Sequence, residues 1–131
     1  MKKKTKTLML IIASSMLVVI GIFVGTDIYA KSVTSTITFE CLDATGIGDG
    51  IYVGEYIISP VFVSVEVTVR NQQIVDIVIL EHQNGFGAKA ESIVNDVLEN
   101  QSLDVDVVSG ATVSSNVILK AIESALQKGR N

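Results

Sequence analysis

The stretch Asp106-Val-Val-Ser-Gly-Ala-Thr112 is where the residue types and spacing of this chain could do chemistry. Four small residues, Ser109, Gly110, Ala111 and Thr112, follow an apolar strand-like run and precede an apolar-periodic stretch of helical character. Small side chains let a ligand approach the backbone closely. A helix start offers unpaired N–H groups and the positive end of the helix dipole, which suits an anion such as phosphate. Thr112 puts a hydroxyl where that phosphate would sit, with Ser114 and Ser115 just behind it. Taken alone, the same residues also read as a loop with a serine helix cap. The rest of the chain has to decide between the two.

The elements that would position this stretch form a simple series. Asp49-Gly50 is a turn signal, and Ile51 to Ser59 follows as a strand with Gly54 inside it. Glycine in a strand marks a bulge or a close approach by something else. After Ser59-Pro60, residues Val61 to Arg70 alternate, with Val61, Val63, Val65, Val67 and Val69 on one face, the signature of a half-buried strand. Asn71-Gln72 reads as a tight turn, Asn tolerating positive φ. Gln73 to Leu80 returns as a third strand interrupted by Asp76, completing an antiparallel meander. Glu81 to Gly87 reads as a polar, glycine-punctuated loop. Ile93, Val94, Val97 and Leu98 then mark one face of a helix over about residues 88–100. Gln101 to Val108 reads as a connector and short strand. Val117, Ile118, Ala121, Ile122, Ala125 and Leu126 mark a last helix, which Ser114 or Ser115 could cap. Strands followed by helices predict an α+β fold, a small antiparallel β-sheet with helices packed on one face.

The amino terminus predicts an address. Lys2, Lys3, Lys4 and Lys6 precede Leu8 to Gly25, a stretch of 18 apolar or small residues without a charge. As a helix it would span roughly 27 Å, close to the hydrocarbon thickness of a bilayer. The flanking lysines keep that end in the cytoplasm and send the remainder out. The segment is either an uncleaved transmembrane anchor or a signal helix ending near Ile28-Tyr29-Ala30. The run is longer than the roughly 7–15 residues of a usual signal core, which favours the anchor. The expected organisation is a membrane anchor or signal over residues 1–30, a Ser/Thr/Gly-rich linker over 31–48 in which Val33 to Phe39 could be a short strand, and one domain over 49–131. The domain would sit at the cell membrane facing away from the cytoplasm, or be secreted if the segment is cleaved.

From residue 31 onward six basic residues face thirteen acidic ones, a net charge of about −7. That excludes nucleic-acid binding, which needs a basic face. Cys41 is the sole cysteine and His82 the sole histidine. An intrachain disulfide and a cysteine metal cluster are therefore ruled out, a zinc site is disfavoured, and Cys41 reads as incidental.

Taken together, Asp49-Gly-Ile-Tyr-Val-Gly-Glu-Tyr56, Val63-Ser-Val-Glu-Val-Thr-Val69, Ile74-Val-Asp-Ile77 and Gln101-Ser-Leu-Asp-Val-Asp-Val-Val-Ser-Gly-Ala-Thr-Val-Ser-Ser115 resemble the FMN-binding domain family. That domain occurs in the C and G subunits of sodium-translocating quinone reductase and Rnf-type complexes, and in small exported proteins. The resemblance implies FMN attached by a phosphoester to Thr112, placed there by a flavin transferase that uses FAD and magnesium. It implies that Asp106 is the acidic residue the transferase needs and that Ser109, Gly110 and Ala111 surround the phosphate. Ser114, Ser115 and His82 become candidate contacts to phosphate or ring, and Gly85, Phe86 and Gly87 could pass close to the flavin. Tyr52 and Tyr56 are expected to pack in or near the sheet. The turn at Asn71-Gln72-Gln73 departs from the family, which usually has a glycine there. The function so implied is an exported relay of electrons between a membrane quinone or reductase system and an acceptor outside, a component more than a complete enzyme. The rivals are a flavin-free cell-surface binding module that keeps the fold, and a domain that binds FMN without the bond.

Overall fold

A computed structural model describes residues 2–34, 37–39, 43–83 and 87–130. The chain divides into two compact units, residues 1–35 and 36–131. The first contains helix α1 (Lys2–Thr34). Leu8, Met9, Leu10, Ile11 and Ile12 follow one another and are all exposed, so apolar side chains lie on every side of the helix axis. Among the described residues no helix is long and apolar enough to cross a membrane. The anchor therefore remains a reading of the sequence. The short strand expected at Val33 to Phe39 is not formed: Val33 and Thr34 belong to α1, and residues 37–39 have no regular structure. Cys41 lies outside the described residues.

The second unit is an antiparallel sheet of β1 (Gly50–Ile58), β2 (Val61–Arg70) and β3 (Gln73–Gln83) in the order β1-β2-β3. A 3-10 turn (Ala88–Ser92), helix α2 (Ile93–Asn100) and helix α3 (Thr112–Arg130) follow. The expected α+β meander is present. Val63, Val65, Val67 and Val69 of β2 are fully buried against Val117, Ile118, Ala121, Ile122, Ala125 and Leu126 of α3 and the buried Ile93 and Val97 of α2. Burying each such side chain contributes on the order of 1.5–3 kcal/mol, so alternation in β2 and helical periodicity in α3 define the same core. Tyr52 and Tyr56 pack against that core from β1. Asn71 and Gln72 both adopt positive φ, 51° and 59°, the geometry of a two-residue hairpin turn that matches strand twist.

Three expectations are corrected. First, β3 runs to Gln83, so Glu81, His82 and Gln83 are strand and not loop; they pair with Ser64, Val63 and Phe62. Register shifts at Ser64/Val65 and Thr68/Val69 each insert one extra residue in β3, Leu80 and Val75. The bulges let the strand continue past its charged end. Second, residues 88–100 are not one helix. The first five form the 3-10 turn and only Ile93–Asn100 is α-helical. Third, Gln101 to Val108 contains no strand.

The third correction has a physical cause at Gln101. Its Oε1 accepts the Ile74 N–H at 2.8 Å, and its Nε2 donates to the Ile74 C=O at 2.8 Å and to the Leu98 C=O at 2.8 Å. One side-chain amide thus does for Ile74 what a neighbouring strand would do, and ends α2 with a left-handed residue at φ 52°. Gln101→Ala is expected to cost about 1–3 kcal/mol by stranding these backbone groups. A urea titration should show a lower midpoint at unchanged slope.

The segment before β1 also packs: Ala44 and Ile47 are buried in the core. Farther back, Lys120 of α3 pairs with the buried Glu123, donates to the Thr38 C=O and lies 5.2 Å from the centroid of the Phe39 ring. Residues 37–39 are thereby tied to the helix.

Candidate functional site

The candidate stretch is built as a turn that feeds a helix. The Ala111 N–H donates to the Val108 C=O at 2.9 Å, closing a turn over Ser109 and Gly110. Gly110 sits third in that turn at φ 73°, a conformation that favours glycine. The first backbone bond of α3 runs from Ser115 N–H to Ala111 C=O at 2.9 Å. The N–H groups of Thr112, Val113 and Ser114 therefore have no acceptor within the helix. Nineteen residues of α3 align their dipoles toward this end. Ser109 and Gly110 are exposed, Ala111 is buried, and Thr112 is half-buried at the first helical position.

Ser114 and Ser115 do not cap this helix, because it begins before them at Thr112. Both are buried. The Ser115 hydroxyl faces back into the loop and accepts the Val108 N–H at 3.0 Å. Ser115 therefore holds the turn against its own helix and is not placed to meet a ligand. Ser115→Ala should leave Val108 N–H without that acceptor and cost about 1–3 kcal/mol. Hydrogen exchange at the Val108 amide would then speed up roughly tenfold or more, a direct reading of local loosening.

Asp106 is exposed. It lines an open cleft of about 470 Å³ with Asp96, Asn100, Asp104 and Val105. The acidic wall is made jointly by α2 and the loop that follows it. Among the described residues no group of three or more His, Cys, Asp or Glu could hold a metal ion.

His82 is near the end of β3, with its imidazole buried and its Nδ1 2.9 Å from Glu91 Oε1 in the 3-10 turn. Gly87 is buried and precedes the 3-10 turn, whose Ala90 N–H donates to the Gly87 C=O at 2.9 Å. Gly85 and Phe86 lie outside the described residues.

The residue that sequence reasoning missed is Lys89. A Cβ built on Gly110 would lie 2.8 Å from Lys89 Nζ and 3.5 Å from its Cε. The ammonium rests on the one position of the turn that has no side chain. A signal for it existed in the sequence, since Lys89 is the sole Lys or Arg between Arg70 and Lys120. An anion loop in an acidic domain needs a cation, and that interval offers one.

Together these groups fit a phosphate: an exposed turn with a cradle that a Cβ would fill, three N–H groups free of helical acceptors, a cation, and a hydroxyl at the helix start. The comparisons with known proteins agree with that chemistry. Residues 60–127, from the start of β2 to near the end of α3, match the family described as the FMN-binding domain. A protein of Vibrio harveyi named NADH:acrylate oxidoreductase is 38% identical over 65 residues, which is 47% of this chain and 6% of that protein. This chain thus corresponds to a small part of that relative's length.

Proposed function

The chain belongs to the FMN-binding domain family, and from that premise we propose that it is an exported electron carrier whose FMN is joined by a phosphoester to Thr112. FMN binding and an electron-transfer role follow from the family and from the oxidoreductase relative. The covalent bond rests on one observation above the others: Thr112 opens α3 beside an exposed, glycine-bearing turn. A hydroxyl there is accessible to a transferase, and the phosphate it would acquire falls on backbone N–H groups and the positive end of the helix.

In the loading reaction, Thr112 Oγ bonds to the flavin-side phosphorus of FAD and the pyrophosphate P–O bond breaks. AMP leaves, and the hydroxyl proton passes to a base of the magnesium-dependent transferase. Asp106 is exposed and lines the acidic cleft, where a cationic patch of that enzyme can engage it. Bound FMN supplies one- and two-electron transfer; the chain's own residues tether and orient it. Ser109 and Gly110 leave room for the phosphate, Ala111 anchors the turn in the core, and Ser115 fixes its backbone. His82 is held by Glu91, so any contact it makes with the ring is made by an imidazole of fixed orientation.

Export is supported by Lys2, Lys3, Lys4 and Lys6 ahead of the apolar stretch Leu8 to Gly25, the arrangement that retains a basic end in the cytoplasm. A covalent tether suits that location, because an exported domain cannot refill from cytoplasmic FMN. Its redox partners would then be a membrane quinone or reductase system and an extracytoplasmic acceptor. The test is a denaturing gel of the full chain co-expressed with a flavin transferase, viewed under ultraviolet light. A fluorescent band is expected. Yellow native protein that loses its flavin on denaturation would replace the covalent reading with a non-covalent one, and colourless protein would leave a flavin-free module.

A further inference from the structure

We propose that Lys89 is the counter-charge of the flavin's phosphate, the side chain that reads the phosphate group and holds the tether in place. This rests on the reading of Thr112 as the attachment point and adds to it a residue outside the Ser-Gly-Ala-Thr string.

The argument begins with charge. A phosphodiester carries one full negative charge at neutral pH, and the chain from residue 31 onward is already acidic by about seven charges. Helix N–H groups supply partial charge only. A cation is needed close by, and the supply is short. Beyond α1 the Lys and Arg residues are Arg70, Lys89, Lys120, Lys128 and Arg130. Lys120 is spent on Glu123 and the Thr38 carbonyl. Lys128 donates to the Val53 C=O at 2.7 Å and Arg130 to the Thr45 C=O at 3.1 Å. Arg70 ends β2 beside the Asn71-Gln72 turn, where an open cleft also includes Asp49. Lys89 remains, and it is the one laid against the turn.

The local geometry favours the same residue. Lys89 is exposed, and among the described residues no carboxylate pairs with it. Its neighbour Glu91 is turned to His82 instead. The 3-10 turn is pinned on both sides, by Ala90 in the core and by Glu91 on β3. The lysine stem therefore leaves a fixed backbone and delivers Nζ over Gly110. A side chain at position 110 would occupy the place of the ammonium. Gly110 is favoured by its positive φ, and its missing side chain leaves the space in which the Lys89 ammonium lies. The ammonium approaches the turn from the side chain's direction while the N–H groups approach from the helix. An anion on Thr112 would be met by both.

The test compares wild type, Lys89→Met and Lys89→Arg as full chains loaded by a flavin transferase with FAD and magnesium. Two quantities are read: the initial loading rate, and the phosphorus-31 resonance of the attached flavin in the folded and denatured protein. Lys89→Met keeps the stem and removes the charge, and circular dichroism should be unchanged because the side chain is exposed. Loading is expected to slow about tenfold, the scale of one charge-assisted hydrogen bond. The folded-state phosphorus shift should move most of the way to its denatured position. Lys89→Arg should restore both. A phosphorus resonance in Lys89→Met equal to that of wild type overturns the proposal, whatever the rate, and leaves the covalent flavin standing. A wild-type chain that takes up no flavin overturns the reading of Thr112 and this inference with it. The two failures are therefore distinct.

Discussion

Thr112→Val, co-expressed with a flavin transferase and run on a denaturing gel, is expected to show no flavin fluorescence where wild type gives a bright band. Valine has the shape of threonine without the hydroxyl, so the substitution removes the acceptor atom and little else. Thr112 is the first residue of α3, and the helical preferences of Val and Thr differ by at most a few tenths of a kcal/mol. The fold should survive with an unchanged circular dichroism spectrum. Only one other hydroxyl of the turn is exposed, that of Ser109; Ser114 and Ser115 are buried and Ser115 is committed to Val108. A band that persists in Thr112→Val therefore sinks the assignment and directs attention to Ser109. Thr112→Ser keeps an acceptor oxygen at the same place and should retain part of the loading. Full loss in Val with partial retention in Ser would establish chemistry at the hydroxyl, because a packing defect would treat the two alike.

Much of the scaffold around that hydroxyl was legible in the chain. The valines of β2 alternate without a break, the Asn71-Gln72 turn needs positive φ, and the apolar stripe of α3 repeats at helical spacing. Each of these is a local pattern with one dominant physical solution. Two of the misread segments are places where a side chain from elsewhere takes up a backbone group. Gln101 takes the place of a strand beside Ile74, across 27 residues. Ser115, which looks like a cap in sequence, faces backward to Val108. Glu81 to Gln83 is polar enough to be a loop, yet β2 offers partners and two bulges absorb the extra residues. At the site, the small residues and Thr112 were visible as a string. Lys89 was not, because the contact that gives it meaning lies twenty-one residues away in sequence and is made to a residue without a side chain.

Gly54→Ala is expected to have the largest effect on stability, and the sign is the informative part. By intrinsic preference, alanine in place of glycine inside a strand should stabilise by roughly 0.5–1 kcal/mol. The contacts say the opposite. A Cβ on Gly54 would lie 2.0 Å from the Ala121 carbonyl oxygen, 2.4 Å from Ala125 N and 2.9 Å from Ala125 Cα. All three are backbone atoms of α3, so no rotamer change can relieve the overlap and the helix itself must move. Overpacking of this kind costs about 1–3 kcal/mol and occasionally more, and a backbone collision belongs at the upper end. Gly48→Ala provides the control, since its new methyl would meet nothing nearer than Tyr52 Oη at 3.7 Å. Urea unfolding should show Gly54→Ala losing at least about 3 kcal/mol, while Gly48→Ala stays within about 0.5 kcal/mol of wild type. Equal midpoints for the two variants would mean that α3 does not ride directly on β1. The consequence reaches the site. Ala121 and Ala125 are one helical turn apart and meet the sheet at Gly54, and the same helix begins at Thr112. Flavin loading in Gly54→Ala should therefore fall even under conditions where the chain remains folded, because the seat that fixes the height of α3 also fixes where its first hydroxyl stands.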